Sequence, residues 1–389
     1  MKKTLLLSLA LIFTLSVSAK SPKYVFLFIG DGMGPAQVEM TRAALSDLSK
    51  GADRVGFTPL SFSNFPVHST STTHSATRLI TDSAAAGTAL ASGEKTSPGT
   101  IGMDTHHTKN ITSVAEKAHK KGIKVAILST VSIDHATPAS FYAHQKSRNQ
   151  YKEIADWLPQ SNFELLAGSG LIKISKNYYD SIAEHTGYKV VKGNNAEFKT
   201  TDKVVWIQDE GANAASLPYA IDRKENDMTL PIMVKKAIEH VDNKDGFFIM
   251  AEGGMIDWAA HGNDAATIAM EVIDFSESIK EAVKFYEEHP NETLIVVTAD
   301  HETGGLTIGR GDRGYDTDLH KLFEQKGSKE KVGSKRTLEV NKLAGVGFTS
   351  GSHTAIPVPV YAIGAGAEEF AKPLDNTDIP NIIMELLGL

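Results

Sequence analysis

Acidic and imidazole side chains recur in this chain at one kind of place, immediately after a run of apolar residues. Lys23 to Ile29 runs into Gly30-Asp31-Gly32-Met33-Gly34, Phe247 to Ala251 into Glu252-Gly253-Gly254, and Leu294 to Ala299 into Asp300-His301-Glu302-Thr303-Gly304-Gly305. Unbroken apolar runs of this length are strands buried on both faces. In an open parallel sheet the carboxyl edge of such strands is where ligands bind. Asp257 and His261 follow Glu252 closely; four residues apart, they share one face of a helical turn and can grip one metal ion. Asp31, Asp257, His261, Asp300, His301 and His353 make an oxygen and nitrogen set suited to zinc, with Glu252 and Thr137 suited to a harder ion such as magnesium. A dinucleotide reading of the first glycine turn fails: the third glycine is missing and Asp31 would face a pyrophosphate.

Thr81-Asp82-Ser83-Ala84-Ala85-Ala86-Gly87-Thr88-Ala89-Leu90 is a different kind of stretch. Asp82 or Ser83 can cap a helix that the alanines propagate. A serine there holds its hydroxyl over free N–H groups and the positive end of the helix dipole, which suits an incoming phosphate. Alone, the stretch reads as an ordinary capped helix start; only a metal crevice makes Ser83 a nucleophile.

The elements that must position these residues alternate strand and helix. Helices are expected over 35–50, after Ser83, over 110–121, 231–242, 264–289 and 378–387, and strands over 23–29, 123–128, 247–251, 294–299 and 358–363. The fold class is α/β: a large, mostly parallel central β-sheet sandwiched by helices. Residues 160–230, with short strands at 165–168 and 203–207, and 310–345 read as insertions in one catalytic domain over 20–389. Residues 57–80 read as a Ser/Thr-rich loop. Ser147-Arg148-Asn149-Gln150 reads as a capping box that places Arg148 in the first turn of a helix through Trp157. One continuous helix over 137–148 would set Thr137 and Arg148 roughly 16 Å apart; both serve one site only if the chain turns back.

Met1-Lys2-Lys3, an apolar run from Leu5 to Val17 and then Val17-Ser18-Ala19 form a secretory leader, expected to be cleaved after Ala19. Its apolar run is too short to span a bilayer, and no later one is long enough. The destination is the periplasm or the medium. The 389 residues include no cysteine, so disulfides and thiolate ligands are excluded. The net charge of −7 argues against a nucleic-acid-binding module and leaves small phosphorylated substrates open, since metals can supply positive field locally.

Six segments occur in a recognisable order. Asp31-Gly-Met-Gly, Thr81-Asp82-Ser83-Ala-Ala, Ala136-Thr137-Pro138 with Ser147-Arg148, Glu252 through His261, Asp300-His301-Glu-Thr-Gly-Gly and Gly351-Ser-His353 resemble the motif series of bacterial alkaline phosphatases. The resemblance implies metal-dependent hydrolysis of phosphate monoesters at alkaline pH. In it Ser83 is the nucleophile that becomes a phosphoserine, Arg148 grips two phosphate oxygens and Asp82 orients Arg148. Asp257, His261 and His353 hold one zinc, Asp31, Asp300 and His301 a second, and Asp31, Thr137 and Glu252 a magnesium. It also implies a homodimer.

His135 and Trp258 stand where the best-known enterobacterial type has aspartate and lysine. His135 either orients magnesium-bound water or ligates the ion itself, which would turn the third site toward zinc. Two other readings remain compatible with these residues: a phosphodiesterase or sulfatase of the same superfamily, and a non-catalytic phosphate- or metal-binding protein. A sulfatase needs a modified Cys or Ser in another motif, and a pure binder has little use for a serine at the crevice.

Overall fold

A computed structural model describes residues 21–50, 56–173, 176–208 and 215–389. The leader lies outside the described residues. The strands are β1 (Tyr24–Ile29), β2 (Val67–Thr72), β3 (Lys124–Ser129), β4 (Leu165–Gly168), β5 (Tyr188–Lys192), β6 (Lys203–Ile207), β7 (Phe247–Glu252), β8 (Thr293–Thr298), β9 (Glu302–Thr303), β10 (Leu306–Ile308), β11 (Val346–Phe348), β12 (His353–Thr354), β13 (Val358–Gly364) and β14 (Leu374–Asp375). The helices are α1 (Pro35–Lys50), α2 (Ser83–Ser92), α3 (Val114–Lys120), α4 (Ala136–Ala139), α5 (Tyr151–Ser161), α6 (Lys176–His185), α7 (Leu230–Val241), α8 (Met255–His261), α9 (Ala265–Glu288), α10 (Lys329–Ala344) and α11 (Asp378–Leu387). Among the described residues no helix is long and apolar enough to cross a membrane.

Ten strands form one sheet in the order β14-β2-β13-β8-β1-β7-β3-β4-β6-β5. Every pairing in it is parallel except those of β13, which runs antiparallel to β8 and β2. The expected α/β architecture is therefore present. Side chains alternate across the pleat. Tyr24, Phe26 and Phe28 pack under α1, α7 and α9, where Phe247, Phe275 and Phe285 surround them. Val25, Leu27 and Ile29 face the opposite layer of α2, α3, α5 and α11. Both faces of the central strands are thus dry, which is why they read as unbroken apolar runs.

Three local expectations change. The 57–80 stretch contains β2, whose Ser/Thr side chains alternate between the sheet and solvent near its edge. Helix α3 starts only at Val114, because Ser113 and Glu116 form a reciprocal capping box there. The capping box expected at Ser147 does not form: α5 opens at Tyr151 behind Gln150, and Ser147 Oγ only accepts from the Asn149 N–H at 3.3 Å. Arg148 consequently lies in the loop before α5, where its N–H donates to the Gly99 carbonyl at 2.7 Å. Helix α4 ends at Ala139, and Gln145 bridges back to Ile101. The chain turns back on itself, so Thr137 and Arg148 are not at opposite ends of one helix.

Candidate active site

Strands β3, β7, β1 and β8 are neighbours in that order, all parallel, so their carboxyl ends open onto one edge. Asp31 follows β1, Glu252 ends β7 in register with Ile29, and Asp300 follows β8. Adjacency of parallel strands is what gathers carboxylates separated by up to 269 positions in the chain. Gly32 permits the tight entry into α1. It has φ +74°, and a Cβ there would stand 2.8 Å from Asp257 Cα. No side-chain-bearing residue fits between the β1 loop and α8.

Ser83 opens α2 and is only 2 % exposed. Asp82 is the N-cap: its carboxylate accepts from the Ala85 N–H at 3.1 Å and from the Gly99 N–H at 3.0 Å. The same carboxylate accepts from Arg148 Nη1 at 3.1 Å. Burial alone would raise the Asp82 carboxyl, but the Arg148 charge and the two N–H groups hold it below the usual range. Arg148 Nη2 lies 3.2 Å from His135 Nε2. Ser83 Oγ lies 3.3 Å from His301 Nε2.

Three histidines are pinned through Nδ1 and turn Nε2 toward the crevice. His353 Nδ1 meets the Thr81 carbonyl at 2.9 Å, His261 Nδ1 the Gly351 carbonyl at 2.8 Å, and His301 Nδ1 the Thr303 hydroxyl at 3.2 Å. Such outer contacts fix the ring nitrogen that a metal would use. His261 Nε2 is 3.2 Å from His353 Nε2 and 3.4 Å from Asp257 Oδ2, while His353 Nε2 is 3.7 Å from Asp257 Oδ1. His301 Nε2 lies 3.2 Å from Asp300 Oδ2 and 3.6 Å from Asp31 Oδ1.

Three groups bring possible ligand atoms within 4.8 Å of one another: Asp257, His301 and His353; Asp31, Asp300 and His301; and Asp31, His135 and Glu252. Five of the six carboxylate and imidazole residues expected to bind zinc fall in these groups, with His301 shared between two of them; His261 is in none, and only its Nε2 contacts with His353 and Asp257 bring it to the crevice. Thr137, in α4, is fully buried beside Glu252.

The residues present fit divalent cations. Both oxygens of Asp31, Glu252 Oε1, Thr137 Oγ1 and His135 Nδ1 are buried without a hydrogen-bond partner among the described residues. Unpaired buried acceptors are costly, and a cation is the group that satisfies several at once. Burial, and then the charges of Asp300, Asp257 and Glu252, push the Asp31 carboxyl well above its usual range. Burial pushes Glu252 up to about 8. Burial and then His353 hold His301 far below the normal imidazole value, and burial with the Arg148 charge takes His135 down to about 3. Acids that hold protons and imidazoles that refuse them describe a site built for metal ions.

Sequence reasoning missed the supports. Thr303 donates to Asp257 Oδ1 at 2.6 Å and meets His301, so one hydroxyl ties two of the groups together. Its position inside Asp300-His301-Glu302-Thr303 was the available signal. Ser129 donates to Glu252 Oε2. Glu302 accepts from Gln37 Nε2 at 2.8 Å and from the Thr354 hydroxyl, clamping α1 and β12 onto β9. Asp134 takes the Ile172 N–H on its two oxygens, at 3.1 and 2.9 Å, behind the turn that carries His135.

Fold and crevice define an α/β protein with candidate metal-ligand groups gathered beside a buried serine. The sequence profile of the alkaline phosphatase family matches residues 22–173 and 167–332. Alkaline phosphatase 4 of Bacillus subtilis is 32% identical over 416 residues, covering 93% of this chain and 88% of its own. A cold-active alkaline phosphatase from the psychrophile Shewanella sp. superposes with a TM-score of 0.84 at 27% identity, covering 94% of this chain and 99% of that one. The alkaline phosphatase of the Antarctic bacterium TAB5 superposes at 0.75 with 27% identity over 95% of this chain and 99% of its own. Variants of that enzyme with a histidine replaced by Glu or Asp hold Mg in a site called M3. This chain belongs to the alkaline phosphatase family. Metal-dependent hydrolysis of phosphate monoesters through a phosphoserine is the chemistry of that family, and this chain is an enzyme of that class.

Proposed function

We propose that Ser83 is the nucleophile and Arg148 the phosphate grip of this phosphomonoesterase. The contact of Ser83 Oγ with His301 Nε2 at 3.3 Å, inside the buried acidic crevice, carries this reading. Asp82 supports both roles, since it caps the helix that presents Ser83 and holds Arg148 by a charge-assisted hydrogen bond. Ser83 Oγ forms a bond to phosphorus as the bond to the ester oxygen breaks; the alcohol leaves, and water then releases phosphate from Ser83. The planar guanidinium of Arg148 matches two equatorial oxygens of the transferring group.

Asp257, His261 and His353 would hold one zinc, and Asp31, Asp300 and His301 another. Asp31, Glu252 and Thr137 would hold a magnesium; with His135 as a direct ligand the third ion would be zinc. When bound, these ions supply the positive charge that lowers the pKa of a hydroxyl or water and stabilises the attacking and leaving oxygens. Trp258 stands edge-on to His135, their ring centroids 6.3 Å apart, and shapes the border of this third site. We further propose that residues 1–19 are removed on export to the periplasm or medium. The mature chain from residue 20 is then one catalytic domain, with elaborations near 160–230 and 310–345, that works as a homodimer. The leader pattern and the family resemblance support these points.

Assay of the zinc- and magnesium-supplied protein on 4-nitrophenyl phosphate and bis(4-nitrophenyl) phosphate tests the activity. Turnover of the monoester is expected to exceed that of the diester by at least about a hundredfold, because Arg148 and the metal set together recognise a phosphoryl group with three free oxygens. Absence of monoester turnover, or faster diester turnover, rejects the reading.

Arg148→Ala is expected to weaken inhibition by inorganic phosphate by about 10- to 100-fold, the worth of hydrogen bonds to a charged group. Arg148→Lys recovers little of that loss, since an ammonium lacks the fork. Asp82 retains its bonds to Ala85 and Gly99 in both variants, so the melting temperature should move little. Unaltered phosphate inhibition in Arg148→Ala would remove Arg148 from the grip.

A further inference from the structure

β9 and β12 are two residues each and form an antiparallel two-stranded sheet of their own, with Thr303 opposite His353 and Glu302 opposite Thr354. Side chains alternate across such a ribbon. His301, Thr303 and His353 therefore share its crevice face. There the Thr303 hydroxyl meets His301 Nδ1 at 3.2 Å, and the rings of His301 and His353 stack with centroids 3.6 Å apart. Glu302 and Thr354 share the opposite face, which is turned toward α1.

On that face Glu302 is 1 % exposed and accepts from four neutral donors: Gln37 Nε2 at 2.8 Å, the Gly305 N–H at 3.2 Å, the Leu306 N–H at 3.3 Å and the Thr354 hydroxyl. Gln37 Nε2 also donates to the Thr303 carbonyl at 2.8 Å, so α1 grips β9 by side chain and by backbone. Gly34, just before α1, leaves the room for this: a Cβ there would run into Glu302 Cγ. Three of the four bonds fix Glu302 to α1 and to its own loop. The fourth, from Thr354, is the one that reaches β12.

We infer that Glu302 is a positioning residue: through Thr354 it locks the register of β12 and so keeps the His353 imidazole facing the metal crevice. The inference rests on the proposal that His353 holds a zinc, and it says what keeps that ligand in place. A one-residue slip between paired strands exchanges their faces. Here it would turn His353 away from Asp257 and bring Ser352 or Thr354 to the crevice instead. A ribbon of two residues does not resist such a slip by backbone bonding alone, since even a full isolated hairpin is marginal in water. Burial does not hold it either, because residues 350–356 are exposed or half-buried. The bond of His353 Nδ1 to the Thr81 carbonyl orients the ring only once that ring faces the crevice. The anchor that selects the register is the buried carboxylate, itself fixed by α1.

Stepwise zinc affinities, measured by chelator competition, test this on the parent, Thr354→Val, Thr354→Ser, His353→Ala and the double variant Thr354→Val/His353→Ala. Thr354→Val keeps the branched shape and removes the hydroxyl. It should weaken one of the two zinc sites by about 10- to 100-fold, the usual cost of an outer contact to a metal ligand, and leave the other near its parent value. Thr354→Ser should recover most of that loss, because serine can still donate to Glu302 and accept from the Ile356 N–H. In the His353→Ala background, Thr354→Val should cost nothing further, since no ligand is left to place. Glu302→Gln, which offers one acceptor oxygen in place of two, should weaken the same site as Thr354→Val. Parent-like zinc binding in Thr354→Val or Glu302→Gln, or no recovery in Thr354→Ser, would overturn the inference. Equal weakening of both sites, or an equal loss with and without His353, would make Glu302 and Thr354 scaffold alone and overturn it too. A parent that binds no zinc would remove the metal reading with it; every other outcome bears on the register lock only.

Discussion

Ser83→Ala lowers turnover of 4-nitrophenyl phosphate by roughly a thousandfold or more, with little change in folding stability. The two halves of this expectation have separate causes. Ser83 is the first residue of α2, but the cap is Asp82, whose hydrogen bonds to Ala85 and Gly99 survive the change. Alanine is the better helix former and leaves a space of only one oxygen. The hydroxyl contacts His301 Nε2, so its removal unties no packed network. The chemical loss is large because the covalent route disappears, and what remains is the field and grip acting on an external water. The same experiment has a direct observable. Acid quenching of the parent enzyme during turnover should leave one phosphoryl group on the peptide containing Ser83, and none in the alanine variant. A phosphorylated peptide elsewhere, or full activity in Ser83→Ala, would assign the nucleophile to another residue.

The parts of this site that could be read from the chain are those whose physics is local. Strands β1, β7 and β8 are buried on both faces, so each is an unbroken apolar run with a polar stop. The stop is Asp31, Glu252 or Asp300 because the carboxyl edge is where a polar group can reach a ligand. Asp257 and His261 were readable because helical spacing puts them on one face of α8. What the chain did not disclose depends on contacts between distant segments. Four of the six residues of β2 are Ser or Thr, and it is a strand because β13 and β14 flank it. Arg148 looked helical from Ser147 onward, but the bond of its N–H to Gly99 and its grip on Asp82 hold it in a loop. The Nδ1 anchors of His261 and His353 are backbone carbonyls of Gly351 and Thr81, which carry no residue-type signal at all.

Removal of the divalent ions should destabilise the protein, and the loss should grow as pH rises from 6.5 to 8. In the metal-free fold Asp31 and Asp300 hold their protons to higher pH than in the unfolded chain, and Glu252 titrates at about 8. A carboxyl raised in this way binds protons in the folded state that the unfolded state has already released. The slope of stability with pH is therefore negative between the unfolded and folded values. His135 and His301 act oppositely, because burial lowers them and unfolding lets them charge, but that contribution fades through about pH 6.5 and is nearly spent by about pH 7.5, where an unfolded imidazole is almost wholly neutral. In the upper part of the window the carboxylates remain, and their charging in close quarters opposes the fold. Metal-loaded protein behaves differently, since ligands must be deprotonated to bind and affinity rises with pH. Ions held at a hundred times their dissociation constant contribute about 2.7 kcal/mol per site. Melting curves with and without chelator should therefore separate as pH increases, by about 5 °C or more at pH 8. Asp31→Asn supplies the control: it removes one charge from the centre of the cluster, so it should flatten the chelated curve and shrink the gain from added zinc. General charge repulsion across a chain with net charge −7 would instead leave the slope of that variant nearly unchanged. Parallel curves for loaded and chelated protein, or a chelated protein that gains stability up to pH 8, would contradict a crevice whose carboxylates need cations to stay ionised.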